Sequence, residues 1–341
     1  MPLNISSQKK EILPLTTQVL IQNHEKIIEK TINSISCFSS KIIAVNIGST
    51  DKTVDVCKKL GVDVIRLSYN GNKSELRNVI VDKTETLWQF YINPGEFLFS
   101  GIDSLIKELS IVEANKDINS YKLNVINNGI LSKEIRLWKK GCGLKFVNPV
   151  FETIIDSKAK KLNSSLYSSV PVDLEKCIKE IKKWQKERPF DSSAYYYEAC
   201  ILLSSRKYEE FIRIANQFIF HHKDEGISSY MTRYYCSLVY CYFYKNYDLT
   251  ISNLMPCIEK NPLMAEFWCL LGDAEYYISK NYDKAKEHYE NAIILGSRRP
   301  KDDDWSLEIV KYKEYPEKMI KNCNEIKNNI SEFKVLGSRP G

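Results

Sequence analysis

Residues 41–61 read KIIAVNIGSTDKTVDVCKKLG, and this stretch decides the fold of the first half of the chain. The apolar run 41–46 predicts a buried strand, and Gly48, Ser49 and Thr50 predict a turn. Val54, Cys57 and Leu60 then recur every third residue, giving a helix one apolar face that ends at Gly61. A strand that turns through glycine into a helix leaves backbone amides and the positive end of a helix dipole at the strand's carboxyl end. Phosphate is readily held there. The expectation is a nucleotide-handling α/β domain.

Working outward, further short apolar runs at 18–22 (QVLIQ), 62–67 and 88–92 predict strands. Between them lie helix patterns carried by Ile28, Ile32 and Ile35 and by Leu76, Val79 and Ile80. Ile102, Leu105, Ile106, Leu109 and Val112 mark one more helix, followed by the strand-like runs YKLNVI (121–126) and EIRLW (134–138). Strands alternating with helices imply a mainly parallel sheet covered on both faces.

From about Asp173 only helix patterns remain, and they repeat. The stretch 260–293 places Pro262, Trp268, Leu271, Gly272, Tyr282, Ala285, Tyr289 and Ala292 close to the tetratricopeptide signature of a two-helix hairpin. Tyr208 and Tyr247 mark two earlier copies, so three hairpins are expected to stack. The expected organisation is an extension over 1–16, an α/β domain over 17–152, a linker over 153–172, helical repeats over 173–330 and a tail over 331–341.

Composition excludes several function classes. The 341 residues carry a net charge of only +6, with no basic stripe, which argues against nucleic acid. No apolar run approaches the ~18–20 residues of a membrane span, and the first residues lack the apolar stretch of a signal peptide, so a cytoplasmic protein is expected. The ten cysteines form no CxxC pair, and Cys236 and Cys241 read as core residues of one helix. Walker, GxGxxG and GxSxG motifs are absent.

The order IQNHEKIIEKTINSI, VNIGSTDKTVDVCKKLG, NKSELRNVIVDKTETLWQFYINPGE resembles the family 2 glycosyltransferases of GT-A fold, in the branch that carries tetratricopeptide repeats after the catalytic domain. The resemblance covers about residues 17–152. It implies that Asn23 and Glu25 meet the ribose and base of a nucleotide, that the Asn46 side chain accepts a bond from the uracil imide, and that Gly48 and Ser49 line the same subsite. Arg77 would lie beside the base and Asn93 near the diphosphate.

Where that family carries Asp-X-Asp, this chain reads Asn93-Pro94-Gly95-Glu96. Glu96 is then the expected ligand of a weakly bound manganese or magnesium ion. Glu152, which survives from a segment that in relatives often reads His-Gly-X-Val-His-Glu, is the expected catalytic base. Lys139, Lys140 and Lys145 read first as a solvated turn, with positive charge for the phosphates as the alternative.

The implied function is transfer of a sugar, with inversion, from a nucleotide diphosphate donor, expected to be UDP-linked, to a hydroxyl or thiol acceptor. The repeats would recruit a protein, peptide or glycan acceptor or mediate oligomer contacts. The alternative is a catalytically inactive nucleotide-sugar-binding or scaffolding protein.

Overall fold

A computed structural model of the chain describes residues 13–110, 117–168, 173–221, 226–300 and 303–337. The chain divides after Glu180 into two units.

The first unit is built on β1 (Leu13–Ile21), whose nine residues are buried at every position but Pro14. Burial of Leu13 and Leu15 extends this strand into the expected N-terminal extension. The unit continues with α1 (Ile28–Ile35), β2 (Ser39–Asn46), α2 (Thr53–Lys59), β3 (Asp63–Arg66), α3 (Lys73–Lys83) and β4 (Trp88–Tyr91). It then runs through β5 (Glu96–Ser100), α4 (Ile102–Ser110), β6 (Ser120–Asn127) and β7 (Ile130–Lys139), followed by β8 (Phe146–Val147), β9 (Thr153–Ile154) and β10 (Lys160–Ser168). Val112 lies outside the described residues.

The strand order is β3-β2-β1-β4-β7-β6-β10-β5. The first four strands are parallel, β7 runs antiparallel to both β4 and β6, and β10 is parallel to β6. On one face Leu15, Val19 and Ile21 meet Ile28, Ile32 and Ile35 of α1, Cys57 of α2, and Leu105 and Leu109 of α4. On the other, Leu20, Ile43 and Val45 meet Leu76 and Ile80 of α3. A fully buried side chain of this size contributes about 1.5–3 kcal/mol, so the two clusters hold the layers together.

The stretch expected as a linker is part of this sheet: β10 lies between β6 and β5. Its alternating burial explains why it reads as loop. Ser164 and Ser168 occupy inward positions beside Leu162 and Leu166, so the apolar period is interrupted by small polar residues that are nevertheless buried.

α5 (Leu174–Glu187) spans the division after Glu180. In the second unit, α6 (Ser192–Ser204) pairs with α7 (Tyr208–His221), α8 (Ile227–Val239) with α9 (Tyr247–Lys260), and α10 (Ala265–Ala274) with α11 (Tyr282–Gly296). Tyr208, Tyr247 and Tyr282 each open the second helix of a hairpin. α8 and α10 end in π-helical turns closed by Lys245 and Lys280 at φ 51° and 57°. The Asn246 and Asn281 side chains then cap the next helix by accepting from Leu249 N (2.9 Å) and Lys284 N (3.2 Å). Gly272 is required by close approach, because a Cβ there would lie 2.7 Å from the Tyr289 ring. α12 (Glu314–Gly337) packs Met319 and Cys323 against Ala285 and Tyr289. It takes up 331–337 of the expected tail. Cys236 and Cys241 are buried, as their reading as core residues requires.

Glu266 on α10 is buried and accepts from Glu308 N (2.6 Å) and the Tyr312 hydroxyl (2.9 Å). Burial pushes its carboxyl up to about 7, against the pull of these donors. A carboxyl whose folded pKa is raised stabilises the fold fully at low pH and loses that contribution as pH rises from its unfolded value through about 7. The linked loss is about 3 kcal/mol. Urea unfolding at pH 5 and pH 8 is expected to show this fall, and Glu266→Gln to flatten it; an unchanged slope in the variant would rule out this carboxyl as the source.

Candidate functional site

The carboxyl ends of β1 and β2 carry the turn that decides the fold, but its amides are not free. Asn46 Oδ1 accepts from Gly48 N (3.0 Å) and Ser49 N (2.7 Å), and Asn23 Oδ1 accepts from Thr50 N (2.8 Å). Glu25 accepts from Lys52 N (3.0 Å), and Asp51 accepts from Thr53 N (3.0 Å) and Glu25 N (3.2 Å). Two carboxylates therefore stand at the start of α2, satisfying its amides and neutralising the positive end of its dipole.

The expected phosphate site at this turn gives way to a self-capped one. The same geometry corrects the role expected for Asn46. Its carbonyl oxygen already accepts two amides, so the group it has left to offer is the Nδ2 donor, not an acceptor for an imide. Asn23, at φ 58°, and Ser49, whose hydroxyl accepts from Asn23 N at 3.3 Å, brace the turn from the β1 side.

At the end of β4 the sequence Asn93-Pro94-Gly95-Glu96 folds as a tight turn closed by Glu96 N to Asn93 O at 3.0 Å. Proline presets the first central residue, and Gly95 supplies φ 90° at the second. Glu96 is turned inward, 3% exposed, and takes two bonds from Arg136 of β7 (2.6 and 2.9 Å). It also accepts from Asn93 N (2.8 Å) and Asn93 Nδ2 (3.2 Å). Burial disfavours its charge, yet the Arg136 guanidinium outweighs that and holds the carboxyl below the ordinary glutamate value.

These residues do not fit a divalent cation. Both oxygens of Glu96 are engaged by a guanidinium, and among the described residues no group of three His, Cys, Asp or Glu side chains could hold a metal ion. Arg136 was legible as part of the EIRLW run, but nothing in its local sequence names Glu96 as its partner.

Arg77 of α3 extends the same network. It is fully buried, bonding Glu152 Oε1 through Nε (2.8 Å) and Asn93 Oδ1 through Nη2 (2.8 Å), while its Nη1 is buried with no partner. The guanidinium carbons of Arg77 and Arg136 both lie over the Tyr91 ring, at 4.6 and 4.4 Å from its centre. Glu152 is buried too; burial raises its pKa, but the Arg77 charge and then Lys73 overcome this and hold it below the usual range.

The structure thus brings Arg77, Asn93, Glu96 and Glu152 together through one chain of bonds. It does not leave Arg77 open to stack on a base. Lys140 caps the end of α3 through the Asp82 and Thr84 carbonyls, and Lys139 lies over Trp88, so neither faces this network.

A second group at the same sheet edge was not singled out by sequence reading. His24 Nδ1 accepts from Gln22 N (2.9 Å), and Lys176 of α5 donates to Gln22 Oε1 (2.7 Å) while lying 5.4 Å over the Tyr69 ring. The Tyr69 hydroxyl donates to Glu180 (2.8 Å). Burial lowers the His24 pKa; Asp51 opposes this, and the charges of Lys73 and Lys176 add to it. Lys73, half-buried at the first turn of α3, makes no side-chain hydrogen bond or ion pair among the described residues. Only chain crossings bring these groups to one edge.

The chain is 26% identical over 204 residues to an uncharacterized glycosyltransferase of Rickettsia typhi, covering 52% of this chain and 67% of that protein. It is similar to a glycosyltransferase. No family model matches the chain.

Among solved structures, MamA 41-end from Desulfovibrio magneticus RS-1 is 17% identical, covering 49% of this chain and 88% of that one, with a TM-score of 0.35. Glucosyl-3-phosphoglycerate synthase of Mycobacterium tuberculosis in complex with Mn2+ and uridine-diphosphate-glucose is 19% identical, covering 33% of this chain and 44% of that one, with a TM-score of 0.28. The fold rests on the strand order and helix hairpins above. No described helix is long and apolar enough to cross a membrane.

Proposed function

We propose that the sheet domain binds a nucleotide-diphosphate sugar, UDP-linked, at the carboxyl ends of β1, β2 and β4 and transfers the sugar with inversion to a hydroxyl or thiol. The observation that carries this reading is the set of side chains at that edge. In a parallel sheet, ligands sit outside the carboxyl ends of the strands, and here His24, Tyr69, Lys73 and Lys176 supply an imidazole, an aromatic ring and two ammonium groups. The similarity to a glycosyltransferase supports the reaction class. The helical repeats are proposed to present a protein, peptide or glycan acceptor.

Glu152 is the proposed base. Its depressed pKa keeps it deprotonated at neutral pH, the form a base must have, but makes it a weak one, so slow turnover is expected. The second reading, a domain that binds the donor without transferring it, is favoured by the burial of Glu152 and Glu96 in ion pairs.

Calorimetric titration with UDP and a panel of UDP-sugars, followed by long incubations with mass spectrometry of the donor, separates the two. Binding with slow release of UDP that is abolished in Glu152→Gln supports transfer. Binding without UDP release supports the inactive form. Absence of binding by every nucleotide overturns both.

A further inference from the structure

We propose that Lys73 and Lys176, with His24 beside them, form a metal-independent cradle for the diphosphate of the donor. This rests on the nucleotide-sugar reading above and names the groups that replace a cation in it.

Three features of the structure lead there. A diphosphate needs donors or cations, and the two places where the sequence promised them are closed. The amides of Gly48, Ser49, Thr50, Lys52 and Thr53 are capped by Asn46, Asn23, Glu25 and Asp51, and Glu96 is closed on Arg136.

Uncommitted positive charge at this edge lies on α3 and α5. Lys73 is half-buried at the positive end of the 11-residue helix α3, and its ammonium has no hydrogen-bond or ion-pair partner among the described residues. Lys176 is held by a neutral acceptor, the Gln22 amide oxygen, which a phosphate oxygen outcompetes because a charge-assisted bond is stronger. The neighbouring carboxylates are committed elsewhere: Glu152 to Arg77, Asp51 to Thr53 N and Glu25 N, and Glu180 to the Tyr69 hydroxyl.

His24 supplies a third donor. Its Nδ1 accepts from Gln22 N, so the neutral ring carries its proton on Nε2, and no protein acceptor for that nitrogen is present among the described residues. One turn along α3 from Lys73, the Arg77 Nη1 is fully buried without a partner, a further donor on the same helix that the protein itself does not satisfy.

The arrangement suits a leaving group. When the bond from the anomeric carbon to the diphosphate oxygen breaks, its electron pair stays on that oxygen, and the two ammonium groups face the charge it gains. The acceptor oxygen forms the new bond, and its proton passes to Glu152. Fixed cations stabilise that developing charge without an ion to recruit.

The test is calorimetric titration of the full chain with inorganic pyrophosphate, UDP and uridine, first in EDTA and then with manganese. Pyrophosphate and UDP are expected to bind in EDTA. Lys73→Gln and Lys176→Gln are each expected to weaken both by about tenfold or more, leave uridine unchanged, and flatten the salt dependence. Lys58→Gln, on the exposed end of α2, is the control.

Thermal melts establish that each variant folds, and either lysine variant alone suffices if the other does not. Pyrophosphate binding only with manganese overturns the cradle, as does unchanged affinity in both variants. If UDP binds while those results hold, the cradle falls and the nucleotide-sugar reading stands. If UDP binds under no condition, both fall.

Discussion

Replacing Glu96 by alanine is expected to destabilise the sheet domain by about 3–5 kcal/mol, while leaving any effect of manganese on UDP binding as it is in the parent chain. Arg136 is 2% exposed, and Glu96 gives it two of its bonds. Removing the carboxylate leaves a buried guanidinium with only the half-exposed Glu134, at 2.9 Å, to answer its charge. Asn93 loses two acceptors at the same time, and the turn loses its inward anchor.

Because Arg136 holds the Glu96 pKa below its unfolded value, this contribution is fully present above the unfolded pKa and lost as pH falls through the folded one. Urea unfolding followed by tryptophan fluorescence measures the change, since Trp88 and Trp138 are both buried in this domain. Parent-like stability in Glu96→Ala, together with lost manganese dependence, would restore the carboxylate as a metal ligand and remove the ion-pair account.

Asp273→Ala is expected to cost the helical repeats more than about 3 kcal/mol, the second large effect. Asp273 is fully buried on α10 and accepts from three phenols: Tyr289 at 2.7 Å and Tyr315 at 2.6 Å on Oδ1, and Tyr242 on Oδ2. Lys311 lies 3.9 Å away and balances part of the charge. These tyrosines come from the end of α8, from α11 and from α12, so one carboxylate ties two hairpins and the closing helix.

Alanine leaves the buried Tyr289 hydroxyl unsatisfied at about 1–3 kcal/mol, and takes the acceptor from the half-buried Tyr242 and Tyr315 as well. Asp273→Asn keeps the shape but replaces one acceptor by a donor, so it is expected to lose part of that stability. The measurement is the unfolding midpoint and slope of both variants. Stability within about 0.5 kcal/mol of the parent chain for Asp273→Ala would show that water or a rearranged phenol satisfies the site.

Legibility in the sequence followed the range of the interaction. Gly48, the Ile28-Ile32-Ile35 face and the tyrosines at 208, 247 and 282 act through neighbours a few residues away, and the strands, helices and hairpins they predicted are present. The turn at 93–96 is equally readable from Pro94 and Gly95, whose backbone preferences are local. β10 was missed because buried serines break its apolar period.

The site was legible only as a set of residue types. Arg77, Asn93, Glu96 and Glu152 do meet, yet whether each is free or committed depends on Arg136, which lies 40 residues beyond Glu96, and on the 75 residues that separate Arg77 from Glu152. Lys73, Lys176 and His24 carry no shared motif at all.

What the amino-acid sequence determined by itself was the class of architecture, an α/β domain followed by tetratricopeptide-like hairpins, because periodicity and turn chemistry are local properties of the chain. What only the tertiary structure decided was the state of every charge at the site. A carboxylate is a metal ligand, a base or half of an ion pair according to what the fold places within about 3 Å of it, and that distance is set by strands and helices meeting from remote parts of the chain.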